Sequence, residues 1–317
     1  AFLSGLGCAV LLGATLLLAS CAPISPPPGQ NGAVGQAGDL ASPPFDTLFA
    51  AAAADELAGR LIIYFLDSGQ SDATYIRTPG GKVLLIDTGD DDKTVVGFLK
   101  AKGVSRIDIL VLTHPHADHT GGALAVLTEF DVGTLYHSGF AHTSEHYQRV
   151  LEKALSLQQA GELSVIEARA GQTLDAGEGV TVTILHPVEP LDTQVNEASV
   201  VVRVAFGAFV ALFAGDAGVE SERAILARAG GQLSSLAATV LKVAHHGSSG
   251  ASSAEFLAAV SPLAAIIEVG PNDYGHPHAD TLDRLTAAGA TIFRTDSDGT
   301  VIVHSDGEGW GLLTGGD

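Results

Sequence analysis

Four side chains able to bind a metal ion fall within six positions of one segment, Thr113-His114-Pro115-His116-Ala117-Asp118-His119-Thr120-Gly121-Gly122. Imidazole nitrogen and carboxylate oxygen suit zinc, manganese or iron, and such close spacing lets one short loop preset several ligands. The segment follows a run at 107–112, apolar but for Asp108, that reads as a buried strand, so the ligand set stands at a strand end. Other chemistry-bearing residues are placed alike: Asp87 after 82–86, His186 after 180–185, Asp216 after 209–213, and His245 and His246 after 239–243. A carboxylate buried at a strand end is costly without a cation. For Asp216 the competing reading is a helix N-cap, because helix-forming residues follow it. Cys8 and Cys21 are the only cysteines. A domain built from the rest of the chain has no disulfide, thiolate ligand or thiol nucleophile, so its chemistry must come from His, Asp, Ser and metal.

The elements that must hold these residues can be read coarsely. Strands are predicted at 61–66 and 82–86, with turn chemistry at 78–81 giving a hairpin-rich sheet edge. A helix follows at 93–101, then the buried strand at 107–112, a helix at 145–159 and a strand at 180–185. The strands 200–205 and 209–213 flank Gly207 as a hairpin. Beyond them come a helix at 219–229, a strand at 239–243, a helix at 253–260, a strand at 264–268, a helix at 281–288 and strands at 291–294 and 301–303. No repeat of 20 to 50 residues stands out. A hairpin-like first half and an alternating second half predict a mixed-sheet α/β layer protein.

Read as a whole, His114-x-His116-x-Asp118-His119 resembles the signature of the metallo-β-lactamase fold. Further motifs narrow the resemblance to the hydrolase domain of ComEC-type competence proteins: Asp67-x-Gly69-Gln70-x-Asp72-Ala73, Ile86-Asp87-Thr88-Gly89, Asn196-x-x-Ser199, Ala214-Gly215-Asp216, His245-His246-Gly247-Ser248 and Gly275-His276-Pro277-His278. Ser71 stands where relatives commonly carry Gly. The similarity spans about residues 61–304 and implies an α/β fold, an αββα four-layer sandwich, with a two-metal site in loops at one edge. By motif position, His114 and His116 are expected on the first ion, Asp118 and His119 on the second, and Asp216 bridging both. His245 is expected to complete the second ion's ligands, with His246 donating a proton or hydrogen bond; the reverse assignment stays open. His186 lies in the interval of the family's third ligand motif, with a surface histidine before Pro187 as the alternative. His276 and His278 are candidates to line the cleft, whereas His137, His142, His146 and His304 read as structural or surface residues. Asp87 is expected to orient a ligand imidazole from behind. Asn196 and Ser199 are candidates to position substrate or an oxyanion, or are turn residues. Asp118, His246 and Asn196 are therefore the catalytic candidates. The expected cofactors are two divalent ions, zinc first and manganese or iron as alternatives, which together turn a shared water into a hydroxide nucleophile.

The chain has 317 residues, with 16 Lys+Arg against 36 Asp+Glu for a formal charge of −20. All the basic residues lie at or after Arg60, yet none gathers into a stripe, so stable duplex nucleic-acid binding is not expected. Residues 2–19 are almost uniformly apolar and end in Leu18-Ala19-Ser20-Cys21, which resembles a bacterial lipobox. Residues 1–21 are therefore expected to be a lipoprotein signal peptide with lipidated Cys21. A plain secretory signal or a short span is the alternative, which Pro23 and Pro26-Pro27-Pro28 disfavour. Residues 22–56, rich in Pro, Gly and Ala, read as a flexible linker, and 57–317 as the hydrolase domain. These features predict a lipid-anchored, extracytoplasmic hydrolase at a bacterial membrane, periplasmic or on the cell surface. Its expected partner is a small or single-stranded phosphodiester, with membrane contact through the anchor only. A lactone or β-lactam hydrolase and a non-catalytic metal-binding lipoprotein are the competing classes.

Overall fold

Alternation of large apolar side chains along the strands sorts them into two faces. Leu61, Ile63 and Phe65 of β1 (Leu61–Phe65) enter one buried cluster, whereas Ile62 and Tyr64 enter another. The computed structural model describes residues 59–177 and 179–315; Cys21, the leader and the 22–56 linker lie outside the described residues. No helix among the described residues is long and apolar enough to cross a membrane.

Beyond β1, the first sheet contains β2 (Thr74–Arg77), β3 (Val83–Ile86), β4 (Arg106–Leu112), β5 (Asp131–His137) and β6 (Ser164–Glu167). The second begins with β7 (Thr173–Leu174), β8 (Val180–His186), β9 (Val201–Phe206), β10 (Phe209–Phe213), β11 (Val240–Lys242), β12 (Ala264–Ile267) and β13 (Thr291–Arg294). The chain then returns to the first sheet through β14 (Val301–Ser305) and β15 (Trp310–Thr314). The strand orders are β15-β14-β1-β2-β3-β4-β5-β6 and β13-β12-β11-β10-β9-β8-β7. Between the two sheets, Phe65 and Phe213 stack with ring centroids 5.9 Å apart, joining the inner faces.

Helices α1 (Thr94–Ala101), α2 (Ala117–Thr120), α3 (Ala123–Glu129) and α4 (Glu145–Gln159) belong to the first sheet's half. Val95 and Leu99 of α1, Val126 of α3 and Val150 of α4 pack with Leu85 and Leu110 on that sheet's outer face. Helices α5 (Val219–Ala229), α6 (Ala254–Val260) and α7 (Ala279–Ala287) serve the second sheet, where Ile225, Phe256 and Leu285 meet Leu241, Ala265 and Ile267. The short α8 (Thr295–Asp298) follows β13. The result is the αββα sandwich.

Several boundaries differ from expectation. Strand β2 was not anticipated: the turn at 78–81 joins β2 to β3, and β2 also pairs antiparallel with β1. The first half is not only hairpins, because β3, β4, β5 and β6 run parallel and are linked through helices. Strands β5, β6 and β15 escaped the sequence reading because each leaves one face half-buried and so breaks the apolar run. The parallel runs fix where the site lies. Strands β3 and β4 in one sheet, and β10, β11 and β12 in the other, all deliver their C-terminal ends to one edge.

Candidate metal centre

At the end of β4 the chain turns through Thr113 and His114 into α2, with His116 at its N-terminal boundary. The loop is held on both sides. Thr88 N–H donates to His119 O at 2.8 Å, and Asp72 N–H donates to Asp118 O at 3.0 Å. Gly121 has no substitute here, since a Cβ would lie 2.3 Å from the Asp90 carbonyl carbon.

Among the described residues the metal-competent atoms gather in three groups, one of them Asp72, Asp87 and His119, and the other two share Asp216. Of these two, one contains His114, His116 and Asp216, and the other Asp118, His119, Asp216 and His246; within each group the candidate ligand atoms lie within 4.8 Å of one another. Asp216 Oδ2 is 3.5 Å from His114 Nε2, and Asp216 Oδ1 is 3.2 Å from His119 Nε2. Both Asp216 Oδ1 and His119 Nε2 are buried yet have no hydrogen-bond partner. Two buried atoms 3.2 Å apart that make no hydrogen bond fit a ligand set for a cation. The position of Asp216 between the groups matches a carboxylate shared by two ions, and its place after Gly215 (φ 53°) precedes α5 without acting as its cap.

Charge leads to the same requirement. Burial alone would push Asp216 up, but His119 and His114 hold it well below the usual carboxylate range. Burial would lower His119, but Asp216, Asp72 and Asp87 hold it well above the ordinary imidazole range. His246 is likewise pushed up to about 10, with Asp72 and Asp118 overcoming its burial. The carboxylates demand positive charge, which protons or cations can provide. His114 behaves differently. Its burial, with His119 nearby, keeps it well below the ordinary range and so neutral, the form that ligates.

Asp87 stands behind His119, as expected of a residue that orients a ligand. Its Oδ2 accepts from His119 Nδ1 at 2.8 Å, leaving Nε2 to face Asp216, while Oδ1 accepts from Thr113 N–H at 2.7 Å. Asp87, His245 and His246 all adopt left-handed backbone conformations, with φ of 58°, 52° and 49°. Such conformations are uncommon for residues other than glycine and gather where a site needs a side chain aimed against local preference.

The preference for His245 over His246 is reversed by the geometry. His246 is buried, with Nε2 3.2 Å from Asp118 Oδ2 and Nδ1 2.8 Å from the Glu268 carbonyl, and it joins the second group. His245 lies toward the cleft, one-third exposed, 3.7 Å from Asp216 Oδ2 and within 3.3 Å of Asn196 Nδ2. Two successive left-handed residues splay the two rings, which no spacing rule reveals. His186 is buried rather than on the surface; its Nδ1 lies 2.9 Å from the Ser199 carbonyl, and it stands outside both groups. Ser199 in turn accepts from Asp216 N–H at 3.2 Å, so its hydroxyl holds the backbone of the shared carboxylate.

An open cleft of about 350 Å³ lies over the groups, lined by Gln70, His116, Asp118, Asp216, His245, His246, Tyr274 and His276. Tyr274 is 72% exposed and stacks on His276 at 5.6 Å. His276 is lowered to about 4 by burial and by the neighbouring His245 and His246, so it is a neutral imidazole in the cleft at pH 7. His278 packs edge-on against His276. Of the histidines read as structural, His146 donates to the Thr120 carbonyl at 2.7 Å behind α2, and the His142 ring lies 6.0 Å from His116. A larger cleft of about 420 Å³ opens at the opposite ends of β3 and β4 and contains none of these groups, so volume alone does not find the site.

Sequence reasoning gave no role to Lys242, Glu268, Gln70 or Tyr274. A lysine inside the apolar stretch Val240-Leu241-Lys242-Val243, just before His245, was the available signal.

The family described as Metallo-beta-lactamase superfamily matches residues 66–270. ComE operon protein 3 of Bacillus subtilis (strain 168) is 30% identical over 258 residues, covering 74% of this chain and 32% of the relative. Competence protein ComA of Neisseria gonorrhoeae is 33% identical over 240 residues, covering 74% of this chain and 31% of the relative. The chain thus spans about a third of the length of these curated relatives. Among solved structures, Igni18, a metallo hydrolase from Ignicoccus hospitalis, aligns with a TM-score of 0.49 at 17% identity, covering 76% of this chain and 98% of that one. With two metal-competent groups sharing one buried carboxylate at the edge of a two-sheet sandwich, and with the family's pattern running through most of the described residues, this chain, similar to the competence proteins, belongs to the metallo-β-lactamase superfamily as a metal-dependent hydrolase.

Proposed function

We propose that this hydrolase cleaves phosphodiesters, small or single-stranded, as a nuclease or phosphodiesterase outside the cytoplasm, tethered by a lipid on Cys21. The observation that carries this reading is the pair of groups sharing Asp216 at the floor of an open cleft. His114, His116 and Asp216 would hold one divalent cation, and Asp118, His119, Asp216 and His246 the other. Zinc is the first expectation for this nitrogen and oxygen donor set, with manganese or iron next. When bound, such ions supply Lewis acidity toward a phosphoryl oxygen and a lowered water pKa.

The chain's own residues do the rest. Asp87 keeps His119 in one tautomer, and the Glu268 carbonyl does the same for His246. His245, with Asn196 Nδ2 at 3.3 Å, stands at the cleft where a proton can pass to or from a leaving oxygen. Tyr274, projecting beside neutral His276, offers an aromatic face of the kind that stacks on unpaired bases. Two divalent ions would place about four positive charges in an otherwise acidic protein, enough to seat one phosphodiester but not to follow a duplex.

The test uses the full chain, loaded with zinc or manganese, against a chromogenic phosphodiester and a chromogenic β-lactam. Phosphodiester turnover abolished by His116→Ala supports the reading; turnover of the lactam alone supports a carboxyl-directed hydrolase; metal binding without turnover supports a binding lipoprotein. The anchor is tested separately, by incorporation of labelled fatty acid that Cys21→Ser abolishes.

A further inference from the structure

We propose that Lys242 is a positioning residue for the second metal group: its ammonium fixes Asp72, the carboxylate that stands behind both His119 and His246. Lys242 lies in β11 and is 2% exposed, as is Asp72, and the two form a tight ion pair. Burying an ammonium group in a strand between two sheets is costly, and an apolar side chain of equal length would pack there without that cost. The charge therefore has work that packing does not explain.

That work is visible in the neighbours. Asp72 Oδ1 lies 3.2 Å from His246 Nδ1, and Asp72 Oδ2 lies 3.6 Å from His119 Nδ1. The Asp72 backbone donates to Asp118 O and accepts from Gly89 N–H, so its position also sets the start of α2. Lys242 Nζ reaches the Gly215 carbonyl at 3.4 Å, and that carbonyl also accepts from His245 N–H at 3.0 Å. One ammonium thus ties together the loops that carry Asp72, Asp216 and the His245-His246 pair. A chamber of about 10 Å³ beside it, lined by Asp72, Asp87, Thr113, Lys242 and Glu268, has no room for a hydrated ion to replace the ammonium. His119, His246 and Asp118 belong to the second group, whereas His114 and His116 form no hydrogen bond or ion pair with Asp72 or Lys242. The larger effect is therefore expected on the second group.

The experiment measures zinc dissociation constants by chelator competition in two single-group backgrounds. With His116→Ala, which leaves the second group intact, Lys242→Met is expected to weaken zinc about 10- to 100-fold, the range for lost outer support of a ligand. With His246→Ala, which leaves the first group, Lys242→Met is expected to change affinity less than threefold. The cobalt visible spectrum of the His116→Ala protein is expected to shift on the same substitution. If Lys242→Met leaves too little folded protein, Asp72→Asn with Lys242→Met removes the unpaired buried charge and is read in the same way. Equal losses in both backgrounds, or no loss in either, overturn the proposal and leave Lys242 a structural ion pair.

Discussion

Asp216 provides the sharpest test of a shared carboxylate. Its two oxygens face different imidazoles, Oδ1 toward His119 and Oδ2 toward His114, at 3.2 and 3.5 Å. Asp216→Asn keeps shape and removes one charge. At about 4 Å and an effective dielectric near 20, a carboxylate and a unit charge attract by about 4 kcal/mol, and a divalent ion by roughly twice that. Part of this is returned because a buried carboxylate is no longer desolvated. A net loss of about 4 kcal/mol corresponds to about a thousandfold in affinity. The assay is dialysis against chelator-buffered zinc, with metal per chain measured by atomic emission. Two ions are expected in the native protein, one after His116→Ala, one after His246→Ala and none after Asp216→Asn. A variant Asp216→Asn that holds both ions with near-native affinity, or that loses only one, refutes the bridging role.

Other outcomes follow from the same geometry. Asp87→Ala removes the acceptor for both Thr113 N–H and His119 Nδ1–H, and is expected to weaken zinc about 10- to 100-fold and lower stability by about 1–3 kcal/mol, read by chelator competition and urea unfolding. In the metal-free protein, His246 has its folded pKa raised to about 10 and His119 is raised as well. Raised groups stabilise fully below their unfolded pKa, so urea stability of metal-free protein is expected to fall by a few kcal/mol as pH rises from about 6.5 through 10. Zinc-loaded protein is expected to lose less, because the cations replace those protons; a flat metal-free profile contradicts the charge argument. Tyr274→Ala is expected to raise KM about 5- to 150-fold for a single-stranded oligonucleotide and leave an aliphatic phosphodiester unchanged, a stacking loss of about 1–3 kcal/mol; equal effects on both substrates count against base stacking.

Much of this protein is legible in its sequence. The run at 107–112 and the ligand-rich segment after it are local: a strand buried on both faces must be mostly apolar, as this one is apart from half-buried Asp108, and a loop can carry four ligands only if they are close in sequence. Asp216 was legible for a related reason, since a carboxylate ending an apolar strand needs a counter-charge. The strands whose side chains fill one face with mixed polarity, β5, β6 and β15, were not, because periodicity reports burial and theirs is partial. Nor could spacing choose between His245 and His246, whose rings part only because both residues take left-handed backbone conformations after β11. For His186 the spacing offered a ligand or a surface residue, and packing against the 196–199 turn buries it with Nδ1 on the Ser199 carbonyl. Lys242 and Asp72 are 170 positions apart, and only the closure of one sheet over the other brings that ammonium to that carboxylate. Local sequence determined which residues could bind a cation; the meeting of strand ends from two sheets decided which of them face each other, because long-range packing fixes directions that neighbours in the chain cannot.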